Sequence, residues 1–284
     1  MNRPQDTVDK NAAPVRVATL THTLHRGSRP LLISLPHVGT LIPPDQQHRY
    51  TERALQVEDT DWFLDRLYGF AKDLGASLIV PRYSRYLIDL NRPPTDTPMY
   101  AGQNNTGLCP TQHFTGEAIY REGLAPDGAQ TQRRVTDYWQ PYHDALRAET
   151  ARIRASQGHA VLFDAHSIQS ELPWLFDGQL PHMNLGTVQG SSCAPTLRAA
   201  LTAVLQAQAD YSHVVDGRFK GGYITRHYGN PAQGVHTVQL EMCWRAYLDE
   251  APPRRWHAQR AAAVTPLLRT LVQTMLDWRQ PERP

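Results

Sequence analysis

Two histidines stand where apolar runs give out, His37 in "LLISLPHVG" and His166 in "VLFDAHS". Two imidazoles, a carboxylate and an open position make up the donor set of a hydrolytic zinc site. Each histidine taken singly reads as a hydrogen-bonded turn residue. As a pair at equivalent strand ends, each followed by a small residue, they read as metal ligands. The third donor must then be acidic. Asp61 in "VEDTDW" leads, with Glu58 and Asp59 as adjacent competitors. The pattern places Asp61 in the first turn of a helix, where the helix dipole favours carboxylates without any metal. Asp164 shares its strand face with His166, and either orients a ligand from behind or caps a loop.

Glu241 closes "VHTVQLEM", an otherwise apolar strand. A lone buried carboxylate is costly, so it is expected to be paired, ligated or catalytic. "YSRYLIDLNRPP" carries Arg85, Asp89, Asn91 and Arg92. An Asn-Arg pair at a strand end suits a carboxylate, because guanidinium offers a two-pronged fork; the alternative is an arginine paired with Asp89. "GRFKGGYITRHYG" sets Lys220, Tyr223 and Arg226 around two glycines, as an anion-binding loop or as a basic turn. HExxH, GxSxG, GxxxxGK[ST] and GxGxxG are all missing, which argues against common zincins, serine α/β-hydrolases, P-loop enzymes and dinucleotide enzymes.

The elements that must position these residues alternate. Strands are expected over 15–24, 30–37, 76–81, 85–94, 159–167 and 235–242, and helices over 59–75, 131–157 (with Pro141 as a kink or break), 194–208 and 254–278. Residues 94–130 form a Pro-, Gly- and Asn-rich excursion too long for a plain connector, so it is expected to cover a site. Residues 169–193 read as loop. Alternating strands and helices predict one α/β domain spanning 1–284, with a mixed, mainly parallel sheet and residues 1–13 frayed. In such sheets the site lies beyond the carboxyl ends of the strands, which is where His37, Asn91, Arg92, His166 and Glu241 fall.

Lys+Arg 29 against Asp+Glu 27 leaves a net charge of +2, too near balance to suggest a nucleic-acid or anionic-membrane partner. No stretch approaches the ~20 apolar residues of a membrane span, and the polar N-terminus lacks the apolar core of a signal peptide. Three scattered cysteines suit a reducing compartment. The expectation is a cytoplasmic protein acting on a small molecule.

Together "SLPHVGTLIP", "DTDWFLDRLY", "YSRYLIDLNRPP", "DAHSI", "LPHMNLGT", "GRFKGGYITRHYG" and "VQLEM" resemble the N-formylglutamate deformylase (N-formylglutamate amidohydrolase) family over about residues 30–250. The resemblance implies a three-layer α/β sandwich related to the zinc carboxypeptidases, a phosphorylase/hydrolase-like fold. It also implies release of formate and L-glutamate in histidine breakdown. On matched positions it implies His37 and His166 as ligands of one zinc, Glu241 as catalytic glutamate, Arg85 beside the oxyanion, and Asn91, Arg92 and Asn184 as substrate contacts. Beyond the resemblance, Lys220 and Arg226 of the Gly-rich loop are the expected contacts of the second carboxylate, with Tyr223 as a further substrate contact. Carboxypeptidases carry an acidic ligand three residues after the first histidine; here Thr40 stands there, so Asp61 is expected to replace it. Other readings are a carboxypeptidase or different N-acyl amino acid hydrolase on the same fold, and a non-catalytic carboxylate-binding protein.

Overall fold

The computed structural model describes residues 20–98, 106–252 and 254–280. The expected frayed segment 1–13 and the start of the first expected strand lie outside these residues. A seven-stranded mixed sheet runs in the order β1-β3-β2-β4-β7-β5-β6, built from β1 (His22–His25), β2 (Leu31–Ser34), β3 (Ser77–Pro81), β4 (Ala160–Ile168), β5 (Met183–Gly186), β6 (His213–Val215) and β7 (Val235–Cys243). The central strands β3, β2, β4 and β7 are parallel, β1 and β5 are antiparallel to their inner neighbours, and β6 is parallel to β5. β2, β3, β4 and β7 read as near-continuous apolar runs because helices cover both faces of a parallel sheet.

Alternation sorts each strand between two cores. Leu31 and Ile33 of β2, Val161 and Phe163 of β4 and Val238 and Leu240 of β7 pack against α1 (Leu64–Leu67), α4 (Pro195–Gln206) and α6 (Ala258–Asp277). Leu32, Ala160 and Leu162 face α3 (Gln140–Gln157) and α5 (Tyr223–Tyr228). Asp164 and His166 continue this second face by period two, and so do Gln239 and Glu241 on β7. α2 (Gly128–Arg134) starts at a capping box between Asp127 and Gln130 and runs through one π-helical turn, Val135–Trp139, into α3. Pro141 does not break the rod; it sits at the start of α3, directly after the π-helical turn. A small hairpin, β8 (Leu248–Asp249) with β9 (Arg255–Trp256), precedes α6. Among the described residues no helix is long and apolar enough to cross a membrane. Cys109, Cys193 and Cys243 are free and buried.

Four expectations need correction. The stretch 85–94 is a series of turns, not a strand. Its carbonyls are met by side chains of the following rod: Arg134 donates to Leu87 O, His143 Nε2 lies 2.9 Å from Leu90 O, and Trp139 Nε1 donates to Arg92 O. The helix expected over 59–75 shrinks to α1 and a 3-10 turn, Gly69–Ala71, because Phe63 takes a left-handed φ of 62° and the chain before it folds back on His37. β5 and β6 arise in or beyond stretches read as loop; at four and three residues they are too short for a period to show. The Gly-rich "GGYITRHY" contains the short helix α5.

Candidate active site

The site forms at the carboxyl ends of β2, β4 and β7. His166 of β4 lies in register with Glu241 of β7, and Glu241 with Asn184 of β5, so three polar side chains stand abreast on one sheet face. His37 follows β2 after Leu35-Pro36 and approaches His166 with ring centroids 4.8 Å apart. Asp61 reaches the same point from the turn before α1. Its backbone N–H donates to His37 O, and its Oδ2 accepts from Ser167 N.

Both histidines are held from behind. His37 Nε2 lies 2.7 Å from Asp89 Oδ1, and His166 Nε2 lies 3.0 Å from Asp164 Oδ2. That leaves each Nδ1 toward Asp61 Oδ2, at 3.8 Å from His37 and 3.1 Å from His166. One donor atom from each of His37, Asp61 and His166 fits within 4.8 Å of the others, all buried. A carboxylate that fixes the far nitrogen of an imidazole is the usual support of a metal-ligating histidine. The residues present therefore fit a divalent metal held by two Nδ1 atoms and one carboxylate. Of the acidic competitors, Glu58 pairs with Arg53 on a more exposed surface. Asp59 accepts from Tyr86 OH and Phe114 N instead.

The electrostatics are those of a dry site. Burial presses His37 toward its neutral form, and Arg85 adds to that, against Asp89 and Asp61. For His166 burial also opposes the charge but is outweighed by Asp164 and Asp61, so its pKa is raised well above the usual value. Asp89 is held well below the carboxylate range: burial works against its charge, but His37, Arg85 and Arg92 prevail. Burial, countered by His166 and aided by Asp61, lifts Glu241 to about 8.

His37, Asp61, Arg85, Asn91, Arg92, His166 and Glu241 line one cavity, joined by Thr106 and Phe114 from the excursion expected to cover a site. Arg85 Nη2 donates to Asp89 Oδ2, and its guanidinium lies over the Phe114 ring. Asn91 spans two elements, with Nδ2 donating to Asp164 Oδ2 and Oδ1 accepting from Ile224 N of α5. Arg92 donates to Thr106 O and Oγ1. Asn184 is buried beside Glu241 but outside the cavity wall. Its Nδ2 donates to the carbonyls of Pro181 and Glu241.

Lys220, Tyr223 and Arg226 are not brought to the cavity. Tyr223 stacks on His227, and the exposed Arg226 donates from Nε to Gly221 O. Their segment instead sends Arg218 and Phe219 to the lining. Arg218 carries no mark in the sequence, since nothing in the spacing tells which cation of a basic loop turns inward.

Comparison with known proteins then decides the family. The model of the N-formylglutamate amidohydrolase family matches residues 29–248. The chain belongs to this family. It is 49% identical over 253 residues to the N-formylglutamate deformylase of Pseudomonas aeruginosa, covering 89% of this chain and 95% of that one. It is 47% identical over 256 residues to that of Pseudomonas putida, covering 90% and 96%. The crystal structure of an N-formylglutamate amidohydrolase from Ralstonia eutropha shares the fold, with a TM-score of 0.74 at 24% identity over 90% of this chain and 96% of that one. A solved protein of Agrobacterium tumefaciens does so at 0.69 and 18%, over 90% and 93%.

Proposed function

We propose that this chain is a metal-dependent hydrolase that cleaves N-formyl-L-glutamate to formate and L-glutamate, a cytoplasmic step of histidine breakdown, with one zinc per chain. The observation that carries the proposal is the convergence of His37, Asp61 and His166 beside Glu241 in a cavity also lined by Arg85, Asn91 and Arg92. Relatives at 47–49% identity that bear the name N-formylglutamate deformylase support the substrate.

His37 Nδ1, His166 Nδ1 and Asp61 would hold the metal. When bound there, zinc supplies Lewis acidity, acidifying water and polarising the formyl carbonyl. Glu241 is the proton carrier. Its carboxylate takes a proton from the attacking water, and the resulting acid gives it to the departing nitrogen of glutamate. Its burial at the cavity wall, in register with His166, places it beside the reacting atoms for both transfers. Arg85, fixed by Asp89, donates to the oxygen on which charge develops, a contribution of about 3 kcal/mol in comparable sites. Asn91 and Arg92 receive the α-carboxylate next to the scissile amide. The test is formate release from N-formyl-L-glutamate with and without a chelator, beside N-acetyl-L-glutamate. Formate released in a chelator-sensitive way is expected; no release from the metal-loaded protein would reject the proposal.

A further inference from the structure

Among the described residues three guanidinium groups line the cavity, and they arrive differently. Arg85 is tied through Asp89 to His37. Arg92 follows Asn91, whose Nδ2 lies 2.9 Å from His166 Nε2. Arg218 comes from the crossing between β6 and α5, together with Phe219, and the lining near it includes Leu175. Its Nη2 donates to Leu175 O at 3.1 Å, which ties it to the 169–180 segment. The crossing is laid directly on the sheet: a Cβ on Gly186 would come within 2.9 Å of Phe219 O, Lys220 C and Gly221 N. Gly186 lies two residues along β5 from Asn184, the register partner of Glu241.

From this placement we infer that Arg218 is the specificity-determining residue that reads a carboxylate on the substrate side chain. The inference rests on the proposed deformylase reading of the same site. N-formylglutamate presents negative charge in three places during hydrolysis: the α-carboxylate beside the scissile amide, the oxygen of the attacked formyl group, and the side-chain carboxylate two methylenes away. Arg92 and Arg85 stand with residues that touch the metal ligands and serve the first two. Arg218 serves the third. Leu175 and Phe219 give the methylenes apolar surface, and the guanidinium at their edge gives the carboxylate its fork. The other cations of the same segment, Lys220 and Arg226, do not line the cavity.

The experiment compares N-formyl-L-glutamate with N-formyl-L-glutamine, which has nearly the same shape without the side-chain charge. Wild type, Arg218→Gln, Arg218→Lys, Arg92→Gln and Arg226→Gln are assayed for formate release with bound metal. Arg218→Gln is expected to lower kcat/KM on N-formyl-L-glutamate about 10²-fold through KM. Its rate on N-formyl-L-glutamine should hold, and Arg218→Lys should recover part of the loss. Arg92→Gln should impair both substrates, and Arg226→Gln should keep the preference for the dicarboxylate. An equal loss on both substrates in Arg218→Gln overturns the assignment, as does a preference abolished instead by Arg92→Gln or Arg226→Gln. Should the wild type release no formate, the deformylase reading fails. Calorimetric binding of the two compounds to wild type and Arg218→Gln then still decides, since a preference for the dicarboxylate that survives in Arg218→Gln rejects the role of Arg218.

Discussion

Asp89 and Asp164 each grip the Nε2 of one histidine, and that grip points both Nδ1 atoms at Asp61. Removing either carboxylate should leave a ligand free to turn. Asp89→Asn and Asp164→Asn are expected to weaken metal binding roughly 10–100-fold, measured by competition with a chelator. Asp61→Ala should lose the metal outright, whereas Glu58→Ala should keep it, since Glu58 is engaged with Arg53. Metal loss in Glu58→Ala with retention in Asp61→Ala would reverse the assignment of the acidic ligand. Glu241→Gln should keep the fold and the metal yet lose about 10²–10⁴-fold in turnover; near-normal turnover would make Glu241 structural. His37, His166 and Glu241 were legible in the sequence because each ends a buried apolar run. Asp61 was legible only as one of three neighbouring acids. The turn that sends it inward, with Phe63 left-handed behind it, has no periodic signature.

Among elements, the strands that could be read were those with both faces buried. The segment 85–94 misled because it looks like such a strand, while its Asp89 and Asn91 side chains and the helix rod behind it do the pairing that a ladder would do. α5 escaped notice because it is six residues long, and its start is pinned from outside by Asn91 and by Gln239, whose Oε1 accepts from Gly222 N. Gly222 is needed for that junction, since a Cβ there would meet Asn91 Nδ2 at 2.3 Å. Gly222→Ala should therefore displace Asn91 and cut kcat/KM while leaving far-UV circular dichroism intact; an unchanged rate would show that Asn91 has room to yield. The rod carries its own pH dependence. His143 is buried between Trp139 and Tyr228, and burial pushes its pKa down to about 3. In the unfolded chain it takes a proton near pH 6.5, so the folded state binds fewer protons between the two values. Its contribution to stability is present above pH 6.5 and is lost as pH falls toward 3. Denaturant midpoints of wild type should drop more steeply than those of His143→Gln between pH 6.5 and 4.5, and parallel curves would reject this role.

The whole molecule must be folded for the proposed metal ligands to meet, since His37, Asp61 and His166 are supplied by the end of β2, the turn before α1 and the end of β4. The unfolded chain offers no such set, so a metal that binds only the native form stabilises it by mass action, about 4 kcal/mol at a thousandfold excess over Kd. At roughly 2–4 °C per kcal/mol for domains of 150–250 residues, that is a readily measured rise in Tm. The core on the α4/α6 face contributes independently of the metal. Leu268 of α6 is fully buried in it, and Leu268→Ala is expected to cost about 2–5 kcal/mol. The two effects should add, because Leu268 belongs to the core on the sheet face opposite to that carrying His166 and Glu241. Thermal unfolding of wild type, Leu268→Ala and Asp61→Ala, each with zinc and with chelator, tests this. Leu268→Ala should lower Tm in both conditions while keeping the full zinc-dependent rise. Asp61→Ala should lose the rise. A zinc-dependent rise in Asp61→Ala as large as in wild type would place the stabilising metal elsewhere than between His37 and His166.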